Sequence, residues 1–151
     1  KGGDQVVSRP ELGFEIGKAI SLRDGKDGLF VTTGITTQVA LEAASGIERE
    51  FGRKWGVLHI HTVKPLDTAG LMEAVEGVRA VITVEEHTVV GGLGSAVAEV
   101  LMEADTARKV HFRRIGFPDV FTDEFGSQDD IMGKYGISVN GLKRVAGELA
   151  E

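Results

Sequence analysis

The feature that most constrains this chain is a repeating unit, in which a short apolar and β-branched run is followed by a turn and then by an amphipathic helical stretch. Leu29–Thr33 is the first such run, stopped by Gly34 and followed at helical spacing by the apolar positions Val39, Ala43, Ala44, Ile47 and Phe51. Gly52 stands where a left-handed residue closes a helix. Val57–Val63 is the second run, ending at Pro65, with Asp67 placed to cap a helix over Thr68–Glu76. Ala80–Val84 is the third: Glu85-Glu86-His87 stand at its carboxyl end, and the turn Gly91-Gly92-Leu93-Gly94 feeds a helix over Ser95–Glu103. Lys109–Ile115 makes a further strand, Gly116–Gly126 has loop character, and helices over Gln128–Lys134 and Val139–Leu149 follow.

Strands that are apolar nearly throughout must be covered on both faces, and parallel neighbours need crossovers that lay helices on the sheet. The expected fold is therefore α/β, a three-layer α/β/α sandwich with a mostly parallel sheet. Near the start, Ser8-Arg9-Pro10-Glu11 reads as a capping box with a proline in the first helical turn. Ala19–Leu22 reads as a brief strand, and Asp24-Gly25 with Asp27-Gly28 as hairpin turn chemistry, which leaves room for one antiparallel edge strand. Residues 1–28 are then an arm with a short helix and that edge strand, and residues 29–151 the domain proper, within a single folding unit.

A net charge of −6, with 17 basic residues dispersed among 23 acidic ones, argues against a nucleic-acid partner, which needs clustered cations. No apolar run approaches the roughly 18 residues of a spanning helix, so no membrane role is expected. The absence of cysteine removes disulfides and thiolate metal sites and fits a reducing compartment, with the cytoplasm as the default.

In open α/β sheets ligands and interfaces gather at the carboxyl ends of the strands. Here that edge comprises Gly34–Thr37, Val63–Asp67, Glu85–Gly94 and Gly116–Asp119. The candidate residues for anion binding or an interface are Glu86, His87, Gly91, Gly92, Gly94 and Ser95, because glycines permit a tight turn and the following helix presents free N–H groups. As a dinucleotide fingerprint the run fails, since Val97 stands where glycine or alanine is needed. Glu85 or Glu86 beside His87 would suit acid–base work, although a polar cluster facing a partner is the simpler reading. His59 and His61 share a strand face and form half a metal site at most, with His87 or Glu85 as the only appealing third ligand; packed histidines are the simpler reading. His111 has no evident partner, and no phosphate loop, serine elbow or metalloprotease helix is present. No catalytic, cofactor-binding or metal-ligating residue is assigned.

The segments His61-Thr62-Val63-Lys64-Pro65-Leu66-Asp67 and Val84-Glu85-Glu86-His87 through Gly91-Gly92-Leu93-Gly94-Ser95-Ala96-Val97 resemble the C-terminal domain of the transketolase family. Thr33-Gly34, Ile115-Gly116-Phe117-Pro118-Asp119 and Phe125-Gly126-Ser127 fit the same order, so the likeness runs from about Leu29 to Leu149. The pattern looks closest to split transketolases, with deoxyxylulose-phosphate synthase and the beta subunits of 2-oxo acid dehydrogenases as near relatives. The resemblance implies a transferase of two-carbon ketol units between sugar phosphates, working with thiamine diphosphate and magnesium. It also implies partners: diphosphate- and pyrimidine-binding domains, in the same chain or another subunit, enclosing the cofactor in a homodimer. This chain matches only the buttressing third domain, because the family's Gly-Asp-Gly is missing and Asn140 is the sole asparagine. The domain alone is expected to be inactive and to bind no cofactor; a stand-alone anion-binding module is the reading from another class.

Overall fold

The computed structural model describes residues 6–7, 10–104, 110–121 and 125–149. A 3-10 turn at Pro10–Leu12 is followed by strands β1 (Ile20–Arg23), β2 (Gly28–Thr32), β3 (Trp55–His59), β4 (Ala80–Thr88) and β5 (His111–Phe117). Between and after them lie helices α1 (Thr36–Phe51), α2 (Thr68–Val75), α3 (Leu93–Glu103), α4 (Gln128–Lys134) and α5 (Val139–Leu149). The sheet order is β1-β3-β2-β4-β5; β1 pairs antiparallel with β3 and all other pairings are parallel. This is the expected α/β sandwich with one antiparallel edge.

Side-chain alternation divides the core into two. Phe30, Trp55, Val57, Ala80, Ile82 and Val84 point to the face covered by α1, α4 and α5. Leu29, Val31, Leu58 and Val81 point to the face covered by α2 and α3. The direction of winding explains the split: α1 carries the chain from β2 to β3 on one side, and α3 carries it from β4 to β5 on the other. Right-handed crossovers in opposite directions must lie on opposite faces.

Several local expectations hold in detail. Gly52 closes α1 with φ of 67°, and Asp67 caps α2 by accepting a hydrogen bond from Gly70 N at 3.1 Å. At α4 the structure adds a reciprocal capping box of Ser127 and Asp130 that the sequence reading does not single out. The box expected at Ser8 lies outside the described residues.

Other expectations are corrected. The Asp-Gly segment does not close a hairpin between neighbouring strands, because β3 lies between β1 and β2. The connection instead crosses the amino end of β3, where Lys26 and Asp27 N–H groups donate to Lys54 O and Asp27 accepts from Lys54 N. Gly25 passes so near that strand that a Cβ there would lie 1.9 Å from Gly56 N, so a close approach fixes this glycine. Phe51, expected on the core face of α1, is 62% exposed at its last turn; Trp55 fills that end of the core instead. β3 starts at Trp55 and ends at His59, earlier than the expected run to Val63, and β4 continues through Glu85, Glu86 and His87 to Thr88.

Candidate functional site

The carboxyl ends of β2 and β4 are adjacent, and their following helices leave toward opposite faces, which opens the crevice where such sheets hold ligands. This chain fills it with its own groups. Thr36, in the first turn of α1, is buried with its Oγ1 2.8 Å from Val84 O and 2.9 Å from Thr33 O. Beside it, Thr37 Oγ1 lies 3.0 Å from Thr32 Oγ1 and 2.9 Å from His59 Nδ1. Burial, and secondarily the neighbouring His61, hold the His59 pKa below the ordinary imidazole value.

The helix start considered for an anion or an interface is also occupied from within. Glu85 is 1% exposed, and its two carboxylate oxygens accept from Leu93 N at 2.7 Å and Gly94 N at 2.8 Å. A carboxylate there satisfies two otherwise orphaned N–H groups and opposes the positive end of the helix dipole. The glycines of the turn are explained by the same packing. A Cβ on Gly92 would lie 1.9 Å from Glu85 Oε2, and one on Gly94 would lie 2.7 Å from Thr83 Oγ1 and 2.8 Å from carbons of Arg114. Ser95 Oγ accepts from Gly91 N at 3.0 Å and donates to Val89 O at 3.1 Å, and Arg114 also donates to Val89 O at 2.7 Å.

The other sequence candidates are spread along the same edge. Glu86 is exposed and accepts from Gln128 of α4, on the opposite face from Glu85. His87 is exposed, its Nδ1 3.1 Å from Thr88 O, so neither glutamate is paired with it. His59 and His61 do meet, with ring centroids 5.9 Å apart, and His61 stacks on Phe14 at 4.3 Å. Among the described residues no group of three His, Cys, Asp or Glu side chains is arranged to hold a metal ion. His111 opens β5 and its side chain is exposed. Sequence reasoning left Glu85 unassigned; its signal was parity, since continuation of the strand past Val84 puts Glu85 on the same face as Val81, toward α3.

Beside the exposed Glu86 and His87, the edge also presents large apolar side chains. Val90, Val120, Phe121 and Phe125 are 58%, 60%, 103% and 96% exposed, all beyond the carboxyl ends of β4 and β5. A diphosphate does not fit among these residues, because the N–H groups at the start of α3 are held by a carboxylate that would repel it.

Residues 17–142 match the family of the transketolase C-terminal domain. The chain belongs to that family. It is 48% identical over 126 residues to a transketolase family protein of Sinorhizobium fredii, a match covering 83% of this chain and 36% of that protein. To a 6-deoxy-6-sulfo-D-fructose transketolase subunit of a Clostridium species it is 39% identical, covering 91% of this chain and 41% of the subunit. A 1-deoxy-D-xylulose-5-phosphate synthase of Synechococcus is 37% identical, over 94% of this chain and 22% of the synthase. Among solved structures, a split-gene transketolase described as an inactive beta4 tetramer superposes with a TM-score of 0.85 at 37% identity, covering 98% of this chain and 47% of that one. This transketolase C-terminal domain thus spans well under half the length of the curated relatives it matches. Among its described residues no helix is long and apolar enough to cross a membrane.

Proposed function

We propose that this chain is the C-terminal domain of a thiamine diphosphate-dependent transketolase that transfers two-carbon ketol units between sugar phosphates, and that its own role is assembly. One observation carries the assembly role: the crevice and the helix start that would bind a ligand are filled by Thr36 and Glu85, while Val90, Val120, Phe121 and Phe125 stand exposed beyond them. An apolar rim around a closed polar edge suits a protein partner rather than a small molecule. In this reading Glu86, His87 and Gly91 belong to the contact surface, and Gly92, Gly94 and Ser95 shape the turn behind it. Thiamine diphosphate and magnesium are held by the diphosphate- and pyrimidine-binding domains, in the same chain or a companion subunit, within a homodimer. Residues 1–28 supply the arm and edge strand, and residues 29–151 the body. The cysteine-free sequence fits a reducing compartment, and we assign the enzyme to the cytoplasm.

Calorimetric titration with thiamine diphosphate and magnesium should show no binding by this chain alone. Adding the cofactor-binding domains should produce ketol transfer from a ketose phosphate to an aldose phosphate. In that assembled enzyme, Phe121→Asp with Phe125→Asp should lower the sedimentation mass and abolish transfer while circular dichroism stays unchanged. Stoichiometric cofactor binding by this chain alone, or a double variant that still assembles and transfers normally, would overturn the proposal.

A further inference from the structure

A second concave site lies at the opposite end of the molecule, by the amino ends of the strands. There the last turn of α1 meets α5 around a cleft of about 570 Å³ whose lining includes Ile47, Phe51, Arg53, Trp55, Arg144 and Gly147. We propose that this cleft binds a small amphipathic anion, with an aromatic or branched apolar body and a single carboxylate or phosphate head. The volume falls in the range of small-ligand sites, roughly 300–1,000 Å³.

The charges favour an anion. Lys143 is paired with Glu50 and Arg144 with Glu148, whereas Arg53, half-buried at the mouth, has no acidic partner among the described residues. The cleft therefore carries one guanidinium in excess, beside an apolar floor of Ile47 and Trp55 and the exposed ring of Phe51. Trp55 closes the inner wall of the cleft and is fully buried there. Gly147 sits inside α5 with nothing within 4 Å of where its Cβ would be, so no packing contact requires a glycine there. A side chain at that position would enter the cleft, although alanine or leucine would favour the helix. The site shares no residue with the carboxyl edge and stands independently of the function proposed above.

Trp55 is the sole tryptophan, so intrinsic fluorescence reads this wall alone. We would titrate the chain with 3-phenylpropionate, phenyl phosphate and, as a neutral control, 3-phenylpropionamide. At least one of the two anions should give a saturable change with a Kd of about 1 mM or tighter, and whichever binds more tightly identifies the head group. Arg53→Gln should weaken that binding by about fivefold or more, as loss of a charge-assisted hydrogen bond requires. Gly147→Leu should abolish it while leaving the melting temperature equal or higher, which separates blocking from unfolding. Absence of saturation by both anions, equal binding of the amide, a smaller loss in Arg53→Gln, or undiminished binding in Gly147→Leu would each overturn the proposal.

Discussion

Removing the Glu85 carboxylate should produce a large loss of stability for a single polar residue at the edge of the core. In Glu85→Ala the N–H groups of Leu93 and Gly94, both on buried residues, lose their acceptors at 2.7 and 2.8 Å. Each unpaired buried donor costs about 1–3 kcal/mol, and the lost interaction with the helix dipole adds about 0.5–1 kcal/mol. Taking the lower part of the first range, the expected destabilisation is about 3–4 kcal/mol. That is a sizeable share of the roughly 5–15 kcal/mol typical of a domain. Glu85→Gln keeps one acceptor and turns an amide N–H toward the other donor, so about 2 kcal/mol is expected. Urea unfolding followed by circular dichroism measures both. A sharper consequence follows from the vacated geometry: sulfate should raise the stability of Glu85→Ala, by about 1 kcal/mol at several times its Kd, and leave the parent unchanged. A loss under about 1 kcal/mol in Glu85→Ala, with no sulfate effect, would refute the claim that this carboxylate fills a helix-terminal anion site.

Two further outcomes follow from the buried polar groups. Asp67 caps α2 through Gly70 N and also accepts from Ala19 N at 2.9 Å, tying the edge strand to the helix; these backbone bonds, the Ala19 bond foremost, hold its pKa below the usual carboxylate range. Asp67→Ala should cost about 1–2 kcal/mol near neutral pH, and less as the pH falls through the depressed folded value, where the parent loses the same stabilisation. His59 has a lowered pKa, so the unfolded chain binds more protons below the ordinary imidazole value of 6.5; the parent should lose stability as pH falls from there toward the folded pKa. His59→Asn, which can keep the bond to Thr37, should flatten the pH dependence of the urea midpoint in that window, and an unaltered slope would exclude His59 as its source.

Local chemistry made much of this architecture legible. Period-2 and period-3.6 patterning placed the strands and helices, and Gly52 and Asp67 marked helix ends, because capping depends on a few neighbours in the chain. Nearly continuous apolar strands implied burial on both faces and hence three layers. Sequence motifs also placed the chain in its family.

Strand order and the state of the candidate site were decided elsewhere. Whether β1 pairs with β2 or with β3 depends on which strand edges are left free once β2 and β3 are paired, and those pairings join residues far apart in the chain, such as Gly28 with Trp55 and Ile20 with His59. Asp-Gly turns bend a chain equally well into a hairpin or across the end of a strand. The glycine-rich start of α3 likewise reads in sequence as either an anion site or an interface turn, because free N–H groups are a property of any helix end. Only the three-dimensional register of β4, carrying Glu85 beneath α3, shows that site to be filled, since a hydrogen bond between a strand side chain and a helix backbone exists only once sheet and helix have packed.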